Sequence, residues 1–219
     1  MKIIDVEQRS DEWRAFREEK ISGTKIGKLF AKSRKTGELF DTEKPNIQFY
    51  QIMAERLATG AQDGIDEQSA MERGIELENE AIQAAVAYLE LGGKYKSDGV
   101  WQDDKNPNFI CSPDAYEDIK KPTWAIETKC LSSANHLKAI YEGEMPNEYI
   151  WQVINYFLVN PALETLYFVM YDPRFYAKEL QLEVFTIKRS DVADKIAQLR
   201  NIRDVAESKI SDFVEKVSF

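Results

Sequence analysis

The stretch from Phe109 to Cys130, FICSPDAYEDIKKPTWAIETKC, constrains the rest of the chain more than any other. It opens on an apolar run, breaks at a Ser-Pro-Asp turn over 112 to 114, and resumes as WAIETKC, a short run that reads as a half-buried strand. Side chains two apart on a strand share a face, so Glu127 and Lys129 stand side by side while Ile126 and Thr128 face the other way. With Asp114 at the end of the neighbouring strand, two carboxylates converge on one point. At about 4 Å they repel by roughly 4 kcal/mol for an effective dielectric of about 20. A bound cation removes that cost.

Oxygen ligation by carboxylates and a backbone carbonyl suits Mg2+, with Mn2+ as a substitute, because these ions keep several waters and also bind phosphate oxygens. Such a site fits phosphodiester hydrolysis: the metal polarises the phosphate and acidifies a bound water, while Lys129 positions that water or stabilises the developing charge. The same residues are compatible with a surface ion pair on an ordinary hairpin. The rest of the chain has to decide.

A length of 219 residues predicts one domain, here read as N-terminal helices over 1–60, a core over 61–187 and a C-terminal helix over 188–219. A 43% hydrophobic fraction describes a folded chain. No apolar run of about 18 residues appears, and MKIIDVEQRSDEW lacks the pattern of a signal peptide, so a cytoplasmic protein that does not enter a membrane is expected. Cys111 and Cys130 are too few for a zinc or iron-sulfur site and read as buried reduced thiols. The net charge of -9 argues against diffuse nucleic-acid binding, yet Lys20 to Gly37 carries Lys20, Lys25, Lys28, Lys32, Arg34 and Lys35 and no acid. Lys25, Lys28, Lys32 and Lys35 share one face if the helix continues that far, which predicts a ridge that tracks phosphates, with 32–37 as a DNA-reaching loop.

Ser10 reads as the N-cap of a helix carrying Trp13, Phe16 and Arg17. Ser22 and Thr24 open a second helix running to about Ala31, either as an anion pocket within reach of Arg17 or simply as caps. Amphipathic helices follow over 46–59 and over 69–91, the latter with Ile75, Ile82, Ala85, Val86 and Leu89 as its apolar stripe. Periodicity does not say which of Glu76, Glu78 and Glu80 turns inward. Strands GVWQ and NFICS are expected to join WAIETK in one small sheet. His136, alone of its type, reads as a packing or capping residue on a helix over 133–142. Pro146 introduces a helix with Tyr149, Gln152 and Tyr156 on one face, a polar stripe that suggests the edge of a site. Strands over 165–171 and 180–187 precede a final helix whose stripe runs from Val192 through Ile196, Leu199, Ile202, Ala206 and Ile210 to Phe213 and Val217.

Together RSDEWRAFREEKISGT, RGIELENEAI, CSPDAYED, AIETKC and HLKAIYEGEMPNEYIWQVINYFLV resemble, in order and spacing, the phage lambda exonuclease or YqaJ-type viral recombinase family of the PD-(D/E)xK nuclease superfamily. The resemblance implies an α+β fold, a central mixed sheet flanked by helices around a restriction-endonuclease-like core. It implies Asp114 and Glu127 as metal ligands, joined by the Thr128 carbonyl and by Glu78, with two ions per site, Lys129 as the catalytic lysine, and Gln152 as a further catalytic residue. Arg17, Ser22 and Thr24 would receive the 5′-terminal phosphate, and Arg34 would insert into the duplex. Ala115 stands where glycine is common, which matters only if its φ is positive. The activity implied is a 5′→3′ exonuclease on linear double-stranded DNA, releasing mononucleotides and handing 3′ overhangs to a single-strand annealing protein, from a homotrimeric ring. An endonuclease of the same fold and a non-catalytic DNA-binding module are the rival readings.

Overall fold

Alternating β-branched and aromatic residues make the strands, and helical stripes cover them. In chain order the strands are β1 (Lys2–Ile4), β2 (Tyr95–Lys96), β3 (Val100–Gln102), β4 (Ile110–Cys111), β5 (Ala115–Glu117), β6 (Trp124–Lys129), β7 (Thr165–Tyr171) and β8 (Leu182–Lys188). The helices are α1 (Asp11–Arg17), α2 (Gly23–Leu29), α3 (Gln68–Tyr88), α4 (Ser133–Glu142), α5 (Ile150–Val159) and α6 (Ala193–Val217). The computed structural model describes residues 1–17, 20–30, 48, 49, 52, 68–131, 133–175 and 177–217. Most of the helix expected over 46–59, and Lys32, Arg34 and Lys35 with their loop, lie outside the described residues.

A five-stranded mixed sheet runs β2-β5-β6-β7-β8, in which only β6 and β7 are parallel; α4 and α5 make the crossover between them. GVWQ and NFICS do not join it. They pair with the N-terminal strand in a separate sheet, β1-β3-β4. The Ser-Pro-Asp turn is what separates the two: after it the chain starts β5, whose Ala115 and Tyr116 pair with Ile126 and Ala125 and so occupy the edge of β6 that the earlier strands were expected to take.

Alternation along β6 divides the core. Ala125 joins Leu166, Phe168 and Met170 of β7 against α5 and α6, whereas Ile126 and Val169 meet Ile82 and Ala85 of α3 on the other face. Among the described residues the apolar packing of α3 begins at Leu77, and Ile75, two residues earlier, is 42% exposed rather than part of the stripe. On α6 the buried positions run from Ile196 to Ile210, while Phe213 and Val217 project to solvent. Buried Arg203 pins that helix to the β3–β4 turn through an ion pair with Asp103 at 2.9 Å and a guanidinium placed over the Phe109 ring. Gly143, in the left-handed conformation at φ 65°, closes α4 by returning its N–H to the Ala139 carbonyl. Among the described residues no helix is long and apolar enough to cross a membrane.

Candidate active site

Backbone pairing alone puts three of the expected residues together. The Asp114 N–H donates to the Ile126 carbonyl at 3.0 Å, which fixes Asp114 at the head of β5 beside the point where Glu127 and Lys129 leave β6. Asp114 Oδ2 accepts from both the N–H and the hydroxyl of Thr128, at 2.6 and 2.8 Å. Glu127, 3% exposed, accepts from three donors: Lys129 Nζ and Gln152 Nε2 on Oε1, and the Tyr156 hydroxyl on Oε2. Both α5 side chains reach it because α5 crosses the sheet face that carries Glu127 and Lys129. The approach is close enough that a Cβ at Gly23 of α2 would stand 3.0 Å from Gln152 Cγ, so a side chain there would press on Gln152.

The cationic wall comes from the N-terminal segment. A parallel bridge between Ile21 and Phe109, with the Ile21 N–H donating to the Asn108 carbonyl at 2.8 Å, ties the α1–α2 connection to the strand that leads into the Ser-Pro-Asp turn. Arg17 thereby meets Ser112, its Nη1 donating to Ser112 Oγ at 2.6 Å, and its guanidinium stacks on Trp13 at 4.4 Å. Arg9 sits at φ 67°, an uncommon conformation for a residue with a Cβ, and pairs with Glu78. Of the three glutamates left open by the sequence, Glu78 is thus the one that turns to the site; Glu80 accepts from the Tyr171 hydroxyl at 2.6 Å and Glu76 is exposed.

These walls enclose a cavity of about 150 Å³ lined by Asp114, Glu127, Lys129 and Gln152 on one side and by Arg9, Arg17, Ser112 and Thr24 on the other. Ser22 is not part of the lining. It is buried and caps α2, its hydroxyl accepting from the Lys25 N–H at 3.5 Å, whereas Thr24 lines the cavity. Lys25 and Lys28 lie on α2, outside the lining. Ala115 is in extended β5, and the positive-φ residues other than glycine are Arg9 and Glu90 among those described, so the alanine carries no strain. Arg9 and Ser112 escaped the sequence reading, whereas Tyr156, on the polar stripe expected to edge a site, lines the cavity. Tyr156 shares a helical face with Gln152, and that stripe was the available signal; nothing in the sequence marks Arg9 or Ser112 as facing the same cavity.

The electrostatics are those of crowded acids. Burial, then Glu127 and Glu78, push the Asp114 carboxyl well above the usual carboxylate range, although the Thr128 N–H pulls the other way. Burial likewise raises Glu78 against the pull of Arg9. Burial would lower Lys129, but Glu127 and Asp114 outweigh it and keep the ammonium charged above its usual value. Burial raises the Tyr156 phenol well above its usual range, with Glu127 adding to it, so the hydroxyl keeps its proton and donates. Cys111 and Cys130 are buried free thiols, and burial pushes Cys130 up to about 11.

Do these residues fit a divalent cation? Among the described residues no three Asp, Glu, His or Cys side chains are already gathered into a cage. Mg2+ does not need one: it takes one or two carboxylates and fills its octahedron with water and phosphate oxygens. Asp114 and Glu127 supply hard oxygen donors to one cavity, and beyond the effect of burial the charges of Glu127 and Glu78 raise Asp114, a repulsion that a cation would relieve.

Residues 12–162 match the family model of the YqaJ-like viral recombinase domain. Among solved structures, LHK-Exo, an alkaline exonuclease from Laribacter hongkongensis, superposes with a TM-score of 0.76 at 24% identity over 95% of this chain and 96% of that one. LHK-Exo in complex with dAMP superposes with a TM-score of 0.75 at 25% identity over the same shares of the two chains. No curated protein matches the sequence. With the family model covering α1 through α5 and the mixed sheet laid out as in an alkaline exonuclease, the chain belongs to the YqaJ-like viral recombinase domain family and has a PD-(D/E)xK-type α+β fold.

Proposed function

We propose that this protein is a divalent-metal-dependent exonuclease that degrades one strand of linear double-stranded DNA from its 5′ end, releases mononucleotides, and leaves 3′ overhangs for a single-strand annealing partner. Family membership and the fold shared with an alkaline exonuclease support a nuclease acting on DNA. The observation that carries the reading is the two-walled cavity of about 150 Å³, with carboxylates and Lys129 facing the half-buried Arg17. That LHK-Exo holds dAMP agrees with a product of one nucleotide.

Asp114 and Glu127, with the Thr128 carbonyl and Glu78, would hold Mg2+ or Mn2+, in one or two sites. When bound, the ion supplies Lewis acidity at the scissile phosphate and a more acidic water. Lys129, fixed between Glu127 and the Tyr149 ring, presents a permanent positive charge where the phosphorane charge builds up. Gln152 holds Glu127 in place. Arg17 and Thr24 receive the 5′-terminal phosphate, the guanidinium matching two phosphate oxygens at once. Lys25, Lys28, Lys32, Arg34 and Lys35 would follow the duplex. A ring of three copies around the DNA would keep the enzyme on its substrate between cuts.

Digestion of matched 5′-phosphorylated, 5′-hydroxyl and covalently closed circular duplexes in Mg2+ tests the reading. The expected result is rapid loss of the phosphorylated duplex, slow initiation at the 5′-hydroxyl and no cutting of circles, with Glu127→Gln inactive yet still binding DNA. Cleaved circles would mark an endonuclease, and an intact linear duplex would end the proposal. Light scattering gives the mass that a trimer requires.

A further inference from the structure

Tyr156 belongs to neither wall of the cavity alone. Its hydroxyl lies within reach of two acceptors, Glu127 Oε2 and the Ser112 carbonyl, the latter at 3.0 Å, and it has a single proton to give. Tyr156 is 1% exposed and its ring meets that of Trp101 edge-on, with centroids 6.3 Å apart, which holds the hydroxyl beside those two acceptors. Ser112 in turn accepts from Arg17 through its side chain at 2.6 Å. One residue therefore joins the carboxylate that is the candidate metal ligand to the peptide that positions the arginine.

We propose that Tyr156 is a positioning residue that couples cation occupancy at Glu127 to 5′-phosphate recognition at Arg17. The inference rests on the function proposed above and deepens it. Without a cation, the charged Glu127 carboxylate is the stronger acceptor and holds the proton of Tyr156. Once the Glu127 charge is compensated, the Ser112 carbonyl competes for the same proton, and donation to it fastens the 112 peptide under Arg17. A phosphate on Arg17 and a cation at Glu127 then favour the same orientation of Tyr156. By linkage each tightens the other.

The test is a thermodynamic cycle on the full chain. Ca2+ binding is measured by calorimetry for the wild type, Tyr156→Phe and Glu127→Gln, alone and with a short duplex carrying either a 5′-phosphate or a 5′-hydroxyl; Mg2+-driven initial rates on the two duplexes are compared in parallel. In the wild type the phosphorylated duplex is expected to tighten cation binding about fivefold more than the hydroxyl duplex does, the lower end of ordinary coupling. Tyr156→Phe is expected to erase that difference and to shrink the phosphate-to-hydroxyl rate ratio by the same factor, with the metal-free melting temperature held within a few degrees. A coupling retained in Tyr156→Phe overturns the relay, as does a melting temperature so lowered that cation binding is lost with both duplexes. A wild type that binds no cation, or a Glu127→Gln variant that binds it unchanged, removes the underlying function as well; cation binding and end preference that survive in Tyr156→Phe remove the relay alone.

Discussion

The two walls of the cavity are built by different means. The acidic wall inherits its geometry from backbone: Asp114 heads β5, Glu127 and Lys129 share a face of β6, and β6 is hydrogen-bonded on both sides, by β5 and by β7. The cationic wall rests on α1, a seven-residue helix with no buried residue, and on a left-handed Arg9; its side chains are held by an ion pair, a stack and one hydrogen bond. A helix that short contributes little stability of its own. The difference teaches where precision is needed. The proposed metal ligands Asp114 and Glu127 sit on hydrogen-bonded strands, and the proposed phosphate ligands sit on a segment held by side-chain contacts.

The comparison breaks first on Asp114. If the acidic wall exists to hold a cation and not to stabilise the fold, Asp114→Asn should lower cleavage of linear duplex by about 10^3-fold while the metal-free melting temperature stays level or rises. Removing the charge relieves repulsion by Glu127 and Glu78, and the amide oxygen can still accept from Thr128. A fall in melting temperature by ten degrees or more, seen by calorimetry, would make Asp114 a structural residue. Next in size, Lys129→Met should cost about 100-fold in kcat. It should leave cation affinity unchanged or tighter, because the ammonium that competes for Glu127 Oε1 is gone. A tenfold weaker cation in a calorimetric titration would reassign the lysine to holding the ligand set together.

On the other wall the expected losses are smaller and of a different kind. Arg17→Lys keeps the charge but not the planar fork, so the preference for a 5′-phosphate over a 5′-hydroxyl end should drop about tenfold, a difference of about 1.4 kcal/mol. Cation affinity in the absence of DNA should not move. Initial rates on the two ends, with a cation titration beside them, check both halves of the statement, and an equal loss on both ends would show that Arg17 serves general DNA binding instead.

How much of this was legible in the sequence follows the same division. Period-two alternation in WAIETKC reports the face shared by Glu127 and Lys129, since a strand's side chains are fixed by its own backbone. The order of the five-stranded sheet was not legible, because the three residues of β5 are too short a run to show a period. Ser112 and Arg9 were illegible for a related reason: Arg9 reaches Glu78 across 69 positions and Ser112 meets Arg17 across 95, contacts that only the packing of α1 beside β4 creates. Helical stripes gave the buried run of α6 but overran it at Phe213, since periodicity does not say where the neighbouring surface ends.

A region remote from both walls supplies the smallest expected effect and a control on the others. His136 of α4 is fully buried, its Nε2 donating to the Leu180 carbonyl at 2.9 Å and its ring 5.5 Å from that of Phe175. Burial lowers its pKa from the ordinary imidazole value; the hydrogen bond to Leu180 and the charge of Asp172 oppose that, and Arg174 adds to it. A histidine depressed in the folded state contributes stability that is complete above the unfolded pKa of about 6.5 and is lost as pH falls through that value toward the folded one, because the unfolded chain then binds the proton first. The slope from this single group is at most about 1.4 kcal/mol per pH unit. His136→Gln retains a donor for Leu180 and cannot titrate, so denaturant titrations between pH 5 and pH 7 should show a shallower acid loss of stability than in the wild type, with equal cleavage rates at pH 8. If activity in the wild type declines below about pH 6.5 and the variant declines in parallel, the acid limb belongs to the two walls; if the variant holds its activity, the limb was unfolding around α4 and says nothing about the chemistry.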